Sequence, residues 1–84
     1  MIMTKVVYKK LRNFWGFAYT DKNLIELSHK LLLPRYEKKH LEIMIHEKIH
    51  IEKPDLDEND VLKLGKNISD FLWKNGYRKI NLKS

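Results

Sequence analysis

Two histidines and a glutamate near the middle of the chain have the spacing of a metal-dependent hydrolytic site. They are His46, Glu47 and His50, within the segment IMIHEKIHI. Residues four apart project from one face of a helix, so both imidazoles can offer a ring nitrogen to the same ion. These ligand types favour one Zn²⁺ per chain. Glu47 would lie beside the ion, where a carboxylate can take a proton from metal-bound water as general base.

A zinc site of this kind needs a third protein ligand and leaves a fourth position for water. The chain has no cysteine, and no histidine follows His50. The third ligand should therefore be acidic. The candidates that follow the motif are Asp55, Asp57, Glu58, Asp60 and Asp70.

Glu58 is the preferred third ligand. His50 lies close to the end of its helix and the following loop is short, so the first turn of an antiparallel second helix should meet it. Asp57 ranks second, because it is better used as the helix cap. Asp70 is disfavoured, because it lies about 18 Å along that helix from Glu58, at about 1.5 Å per residue, toward the wrong end of the first helix.

The first third of the chain has the pattern of a small antiparallel meander of three strands. β-branched and aromatic residues predict strands over Thr4–Leu11 and Phe14–Tyr19, and an apolar run predicts a third over Leu24–Leu27. Arg12-Asn13 and Asp21-Lys22-Asn23 are the predicted turns.

Two helices should follow this sheet. Pro34 suits a first helical position, and no helix breaker occurs from Arg35 to about Glu52. After the loop Lys53-Pro54-Asp55, the second helix is predicted from about Asp57 to Asn75, with Asp55 or Asp57 as its N-cap and Gly76 as its stop. Residues 77–82 then form a short last strand or a docked tail. The predicted buried stripe of the second helix is Val61, Leu62, Leu64, Gly65, Ile68, Phe71 and Leu72.

Other aromatic residues and histidines are expected to be structural. Trp15, Phe17, Phe71 and Trp73 are predicted to lie in the core, although Trp15 could line a cleft beside Gly16. His29 and His40 fit no ligand spacing and are predicted to lie at the surface.

The arrangement of H-E-x-x-H on a central helix, after a short sheet and before a second helix, resembles the zincin metallopeptidases. Its small size is similar to gluzincin-like zincins. The segment HEKIHIEKPDLD and the later LWKNGYR are also similar to compact zincins of phage and prokaryotic genomes. The chain departs from metzincins, which continue to a third histidine. The resemblance implies zinc-dependent peptide hydrolysis with a peptide or protein substrate, His46 and His50 as ligands, and Glu47 as base.

Two further sets of site residues are expected. In zincins the strand before the active helix usually lies along the substrate, which here would be Leu24, Ile25, Glu26 and Leu27. Peptide hydrolysis also needs a group that stabilises the oxyanion. Tyr77 and Arg78 follow the second helix and could return to the site, with Tyr36 and Tyr19 as alternatives.

Length and composition place these elements in one α+β domain over residues 1–84. No apolar run reaches the length of a membrane span and no signal peptide is evident, so a cytoplasmic monomer or small homo-oligomer is expected, with no membrane partner. The net charge of +6 leaves a nucleic-acid-binding module, with structural or no zinc, as one alternative function. A zincin-like protein that binds metal without catalysis is another.

Overall fold

The computed structural model describes residues 3–78 and has the predicted α+β architecture, in which a three-stranded sheet precedes two packed helices. The strands are β1 (Lys5–Lys9), β2 (Gly16–Tyr19) and β3 (Leu24–Ser28). The helices are α1 (Glu37–Glu52) and α2 (Glu58–Lys74). The predicted last strand lies mostly outside the described residues.

The sheet is mixed, with the strand order β1-β3-β2. β2 and β3 form the expected antiparallel hairpin, and Asn23 occupies the left-handed region in its turn with φ 52°. β1 instead pairs with β3 in parallel, with Lys5 opposite Leu24 and Lys9 opposite Ser28. The prediction of an all-antiparallel meander was therefore wrong for β1.

β3 is buried, in agreement with its central position. Ile25 and Leu27 are 1% and 0% exposed, and every residue from Ile25 to Ser28 is buried. Successive residues of a strand face opposite sides of the sheet, so β3 is buried on both sides and has a neighbour at each edge. β1 carries exposed lysines at both ends, which suits an edge strand.

The helix ends lie close to their predicted positions. Pro34 begins a short 3-10 turn, Pro34–Tyr36, and α1 starts directly after it. The N-cap of α2 is Asp57, whose side chain accepts a hydrogen bond from the Asp60 amide at 2.9 Å. Gly76 has φ 87° just beyond the end of α2, in the conformation that the stop signal predicts.

The two helices meet through small side chains. Val61, Gly65 and Ser69 are the buried residues of α2 and recur every four positions on one face. A Cβ on Gly65 would lie 3.6 Å from the Cα of His46, so the two backbones approach closely there. The prediction that the larger apolar residues of this helix are also buried was wrong for four of them. The exposed residues are Leu62, Leu64, Ile68 and Phe71.

The core lies between the sheet and α1. Its fully buried residues Ile25, Leu27 and Leu31 pack against side chains of β1 and α1. His40 was predicted to lie at the surface but is 1% exposed, and its Nε2 lies 2.8 Å from the hydroxyl oxygen of Tyr8. Phe17 and Phe71 were predicted to be core residues but are 46% and 65% exposed.

Candidate metal centre

The imidazoles of His46 and His50 lie together on one face of α1. Their Nε2 atoms are 3.2 Å apart, and their ring centroids are 4.9 Å apart. Both residues are partly buried, with side-chain exposures of 16% and 27%. The helical spacing alone explains why the rings are neighbours, because residues four apart are adjacent on a helix surface.

Glu58 completes a group of three from the first turn of α2. One carboxylate oxygen lies 3.0 Å from the Nε2 of His46, and the other lies 3.0 Å from the Nε2 of His50. One ligand atom from each of the three residues can be chosen so that all lie within 4.8 Å of one another. The structure therefore brings together the three residues that the sequence predicts as metal ligands.

The donor set is suited to zinc. Two imidazole nitrogens and one carboxylate oxygen are the types of ligand found in zinc sites with three protein ligands. In a tetrahedral site with bonds of about 2.0–2.1 Å, ligand atoms lie about 3.3 Å from one another. The two imidazole nitrogens are 3.2 Å apart, close to this value, and each lies 3.0 Å from a different oxygen of Glu58. With one donor atom taken from each residue, all three lie within 4.8 Å of one another. Three donors that converge in this way could hold one ion with small adjustments.

The loop between the helices and the cap of α2 determine where Glu58 lies. α1 ends at Glu52, and the amide of Lys53 donates to the carbonyl oxygen of Ile49 at 2.7 Å. The chain then turns back, and Asp57 caps the new helix through its side chain. The Glu58 side chain stays 60% exposed, so the group is open to solvent on the side of this helix.

The other acidic candidates have different contacts. Asp57 is engaged as the N-cap of α2. Asp70 lies farther along α2 and forms ion pairs with Lys38 at 3.0 Å and with Lys66 at 3.3 Å. A hydrogen bond from Lys38 is the main reason that the pKa of Asp70 is below its ordinary value. Asp70 thus links α1 to α2 and is not part of the histidine group.

Glu47 is the buried acid beside the two histidines. It is 9% exposed, and desolvation raises the pKa of its carboxyl group, while the charges of His46 and His50 act in the opposite direction. A carboxylate in a desolvated position is a stronger base than one in water. This environment suits the role of proton acceptor that the sequence predicts for Glu47.

A shallow cleft connects the histidine group to β2. Its lining comprises Gly16, Phe17, Ala18, Thr20, His46, Glu47, His50 and Glu58. β2 pairs with β3 on one side only, so its other edge is not used by the sheet within the described residues. The sequence did not single out Ala18 or Thr20, because their place beside the site depends on the strand order.

Leu24, Ile25, Glu26 and Leu27, which the sequence predicts to bind substrate, do not line this cleft. These residues form the central strand, which has neighbours on both sides and is therefore closed to a further chain. Its backbone groups are already used in pairing with β1 and β2. The strand that borders the cleft is β2, which precedes β3 in the chain.

Tyr77 and Arg78 do not reach the cleft either. The carbon of the Arg78 guanidinium lies 3.3 Å from the centroid of the Trp73 ring, and its Nη1 donates to the Trp73 carbonyl oxygen at 2.9 Å. The Tyr77 amide donates to the Leu72 carbonyl oxygen at 3.1 Å. Both residues thus lie at the C-terminal end of α2, about 24 Å from Glu58 at about 1.5 Å per residue.

The two alternative tyrosines also lie elsewhere. The Tyr19 hydroxyl donates to a carboxylate oxygen of Glu26 at 3.2 Å. The ring of Tyr36 packs on Trp15 with centroids 5.2 Å apart. Neither tyrosine lines the cleft. None of the four residues predicted to stabilise an oxyanion is therefore in place to do so.

No family model, curated protein or solved structure was found to match this chain. Within residues 3–78, no helix combines the length and the apolar character that crossing a bilayer would require.

Proposed function

We propose that the chain is a zinc-dependent metallopeptidase. The observation that carries the proposal is the convergence of His46, His50 and Glu58 from two helices. Each imidazole nitrogen lies 3.0 Å from a different carboxylate oxygen of Glu58. Buried Glu47 adjoins this group, and the cleft beside it is bordered by an edge strand. A ligand set, a base and a place for an extended substrate are thus adjacent.

Each of these residues has a distinct role in the proposed reaction. His46, His50 and Glu58 would hold the ion. Zinc, when bound, supplies a Lewis acid that polarises the scissile carbonyl and lowers the pKa of water in the site. Glu47 accepts a proton from the attacking water and delivers it to the departing amine. Its desolvation favours the uncharged carboxyl, which strengthens it as a base before attack and makes it an available acid afterwards.

β2 is the element that would bind the substrate. An extended peptide can add to a sheet edge through backbone hydrogen bonds, while its alternate side chains contact the surface beside the edge. The free edge of β2 runs along the cleft past His46 and Glu47. The proposed peptide would therefore lie antiparallel or parallel to Gly16–Tyr19, with its scissile bond over the histidine group.

A metal-binding protein without peptidase activity is the second candidate. It is favoured by the positions of Tyr77 and Arg78, which leave the cleft without the oxyanion-stabilising side chains that the sequence predicts. Such a protein would bind zinc through the same three residues. Its Glu47 would have no catalytic role.

Zinc content and peptide cleavage of the parent and of Glu47→Gln separate the two candidates. The peptidase proposal expects one zinc per chain in both proteins, cleavage of unstructured peptides by the parent, and a rate lower by at least about 10²-fold in the variant. Glu52→Gln is the matched control, since Glu52 is an exposed acid on the same helix that pairs with Lys48.

Three outcomes of this experiment are informative. Zinc in both proteins without cleavage by the parent would support the binding protein and reject the peptidase. Absence of zinc from parent protein purified without chelators would reject both candidates. Equal cleavage by the parent and Glu47→Gln would remove Glu47 from the mechanism.

A further inference from the structure

The face of the sheet opposite α1 is open. Val6 and Tyr8 of β1 pack against the core, so the alternation of side chains along a strand directs Lys5, Val7 and Lys9 to the other side. On that side, Lys9 Nζ lies 2.9 Å from a carboxylate oxygen of Glu26. Within residues 3–78, the helix side chains that pack on the sheet lie on its core side, and we call the opposite surface the open face.

Three aromatic rings follow one another along the edge of the open face. Tyr19 shares this side of the sheet with Glu26, because its hydroxyl donates to that carboxylate. The ring centroid of Phe17 lies 4.8 Å from that of Tyr19 and 5.9 Å from that of Phe14. Phe14 and Phe17 are 50% and 46% exposed. The rings are tilted by 52° and 63° to one another, and about half of the surface of Phe14 and of Phe17 is accessible to a ligand.

Lysines line a groove on the same face of the sheet, and one of them reaches the Tyr19 ring. Lys5, Lys9 and Lys22 line a single groove on the open face, and Lys22 Nζ lies 5.4 Å from the centroid of the Tyr19 ring. The Glu26 side chain in the same groove is only 12% exposed and is paired with Lys9, so its charge is largely compensated. A groove of this composition attracts a polyanion.

We propose that the open face binds single-stranded nucleic acid, with bases stacked on Phe14, Phe17 and Tyr19 and phosphates contacted by Lys5 and Lys22. Rows of aromatic side chains with nearby basic residues bind unpaired bases without sequence readout, since every base has a π-face. Duplexes offer no unstacked base to such a sheet. An apolar partner would gain little from the lysines at the rim. Phe17 also lines the metal cleft, but none of the proposed metal ligands belongs to the open face, and the proposal does not depend on the proposed peptidase activity.

Fluorescence anisotropy of labelled oligonucleotides tests the proposal with the full chain. The probes are oligo(dT) and oligo(U) of about 15 nucleotides and a duplex of the same length. We expect the single strands to bind at low salt and the duplex to bind at least about tenfold more weakly. The two single-stranded probes show whether DNA or RNA is preferred.

Aromatic substitutions test the stacking. Phe14→Ala and Phe17→Ala should each weaken binding about tenfold. Phe71→Ala, which removes a 65% exposed ring on α2, is the matched control and should have no effect. Phe14 does not line the metal cleft, so its variant also separates this site from that one. Phe17→Tyr should retain binding, because the ring is kept.

Lysine substitutions test the phosphate contacts. The pair Lys5→Gln and Lys22→Gln should reduce the slope of log affinity against log salt by about 1.4, at about 0.7 per phosphate contact on a single strand. Lys63→Gln with Lys74→Gln removes the same charge from exposed positions of α2 and should leave the slope nearly unchanged.

Four results would overturn the proposal. They are no binding of either single strand at low salt, equal binding of the duplex, unchanged affinity of both phenylalanine-to-alanine variants with native circular dichroism, and equal effects of the two lysine pairs. The last result would mean attraction by net charge alone. If Phe17→Ala loses its native circular dichroism, the affinities of Phe14→Ala and Phe17→Tyr for the single strands test the stacking instead.

Discussion

At the scale of single residues, Glu58 is the side chain of α2 that pairs with both histidines of α1. Its two oxygens each approach a different imidazole nitrogen, so a side chain truncated to alanine cannot make either contact. The carboxylate also lies in the first turn of α2, where the helix dipole favours a negative charge. One residue thus serves both the local helix and the three-residue group.

Replacement of Glu58 by alanine should weaken zinc binding by more than about 100-fold. Loss of an outer-shell partner alone typically costs about 10–100-fold in metal affinity, and a direct ligand should cost more. Competition with a chromophoric chelator measures the affinity. Asp60→Ala is the matched control, because it removes another exposed acid from the same turn of α2. Equal affinities of the two variants would reject Glu58 as a ligand.

At the scale of elements, the distance between β2 and α1 depends on Gly16. A Cβ at this position would lie 2.8 Å from Cγ2 of Ile43 and 2.9 Å from Cδ2 of Leu27. Such contacts are too close to be accommodated without a shift of neighbouring side chains or of the strand. Since β2 borders the cleft, Gly16 sets how near the strand edge can come to the histidine group.

Gly16→Ala should lower the free energy of unfolding by about 1–3 kcal/mol, the usual cost of an added methyl group in a tightly packed site. Gly65→Ala is the matched control on α2. Its Cβ would lie 3.6 Å from the Cα of His46, an ordinary contact, and alanine restricts the unfolded chain. That variant should be unchanged or more stable by about 0.4–1 kcal/mol.

Urea unfolding followed by circular dichroism measures both variants. The difference between them is the informative quantity, because each adds one methyl group to a glycine. A similar loss of stability in Gly16→Ala and Gly65→Ala would contradict the close contacts expected for a Cβ at Gly16. Reduced peptide cleavage by Gly16→Ala, at conditions where it is fully folded, would further indicate a role of β2 in the cleft.

At the scale of the whole molecule, the candidate metal centre links the two helices near the loop that joins them. The fully buried apolar core has few residues, and the helix contact uses small side chains. Small domains of this kind gain stability from any ligand that binds only the folded state. A metal ion held by α1 and α2 together would act in this way.

Zinc should raise the melting temperature of the parent by about 10–20 °C. At a free concentration about 100 times the dissociation constant, a ligand adds about 2.7 kcal/mol to stability, and 1 kcal/mol corresponds to about 4–8 °C for a domain of this size. Differential scanning calorimetry with and without zinc measures the change. Glu58→Ala should show a much smaller increase at the same zinc concentration, and equal increases would place the stabilising ion elsewhere.

Features that arise between neighbours along the chain can be predicted from the sequence. The relation of His46 to His50 follows from helical spacing, and the ends of α1 and α2 follow from Pro34, Asp57 and Gly76. The position of Glu58 near the histidines also follows from short-range geometry. The loop between α1 and α2 is short, so the first turn of α2 must lie close to the last turn of α1. Covalent geometry limits such separations to a few possibilities.

Helix length also limits which residues can reach the histidines. Tyr77 and Arg78 follow the same helix as Asp70 and lie still farther from its first turn. Their predicted return to the site therefore required a chain reversal that residues 77 and 78 do not make.

The strand order and the burial of each surface depend on tertiary contacts that the sequence pattern does not reveal. β1 could pair with β2 or with β3, and periodicity does not distinguish these partners. The pairing of β1 with β3 places Leu24–Ser28 in the centre and leaves β2 beside the cleft. It also leaves Phe17 exposed, because α1 covers only one face of the sheet. These outcomes depend on contacts between segments that are distant in the sequence. The free energies of such contacts cannot be read from a local sequence pattern.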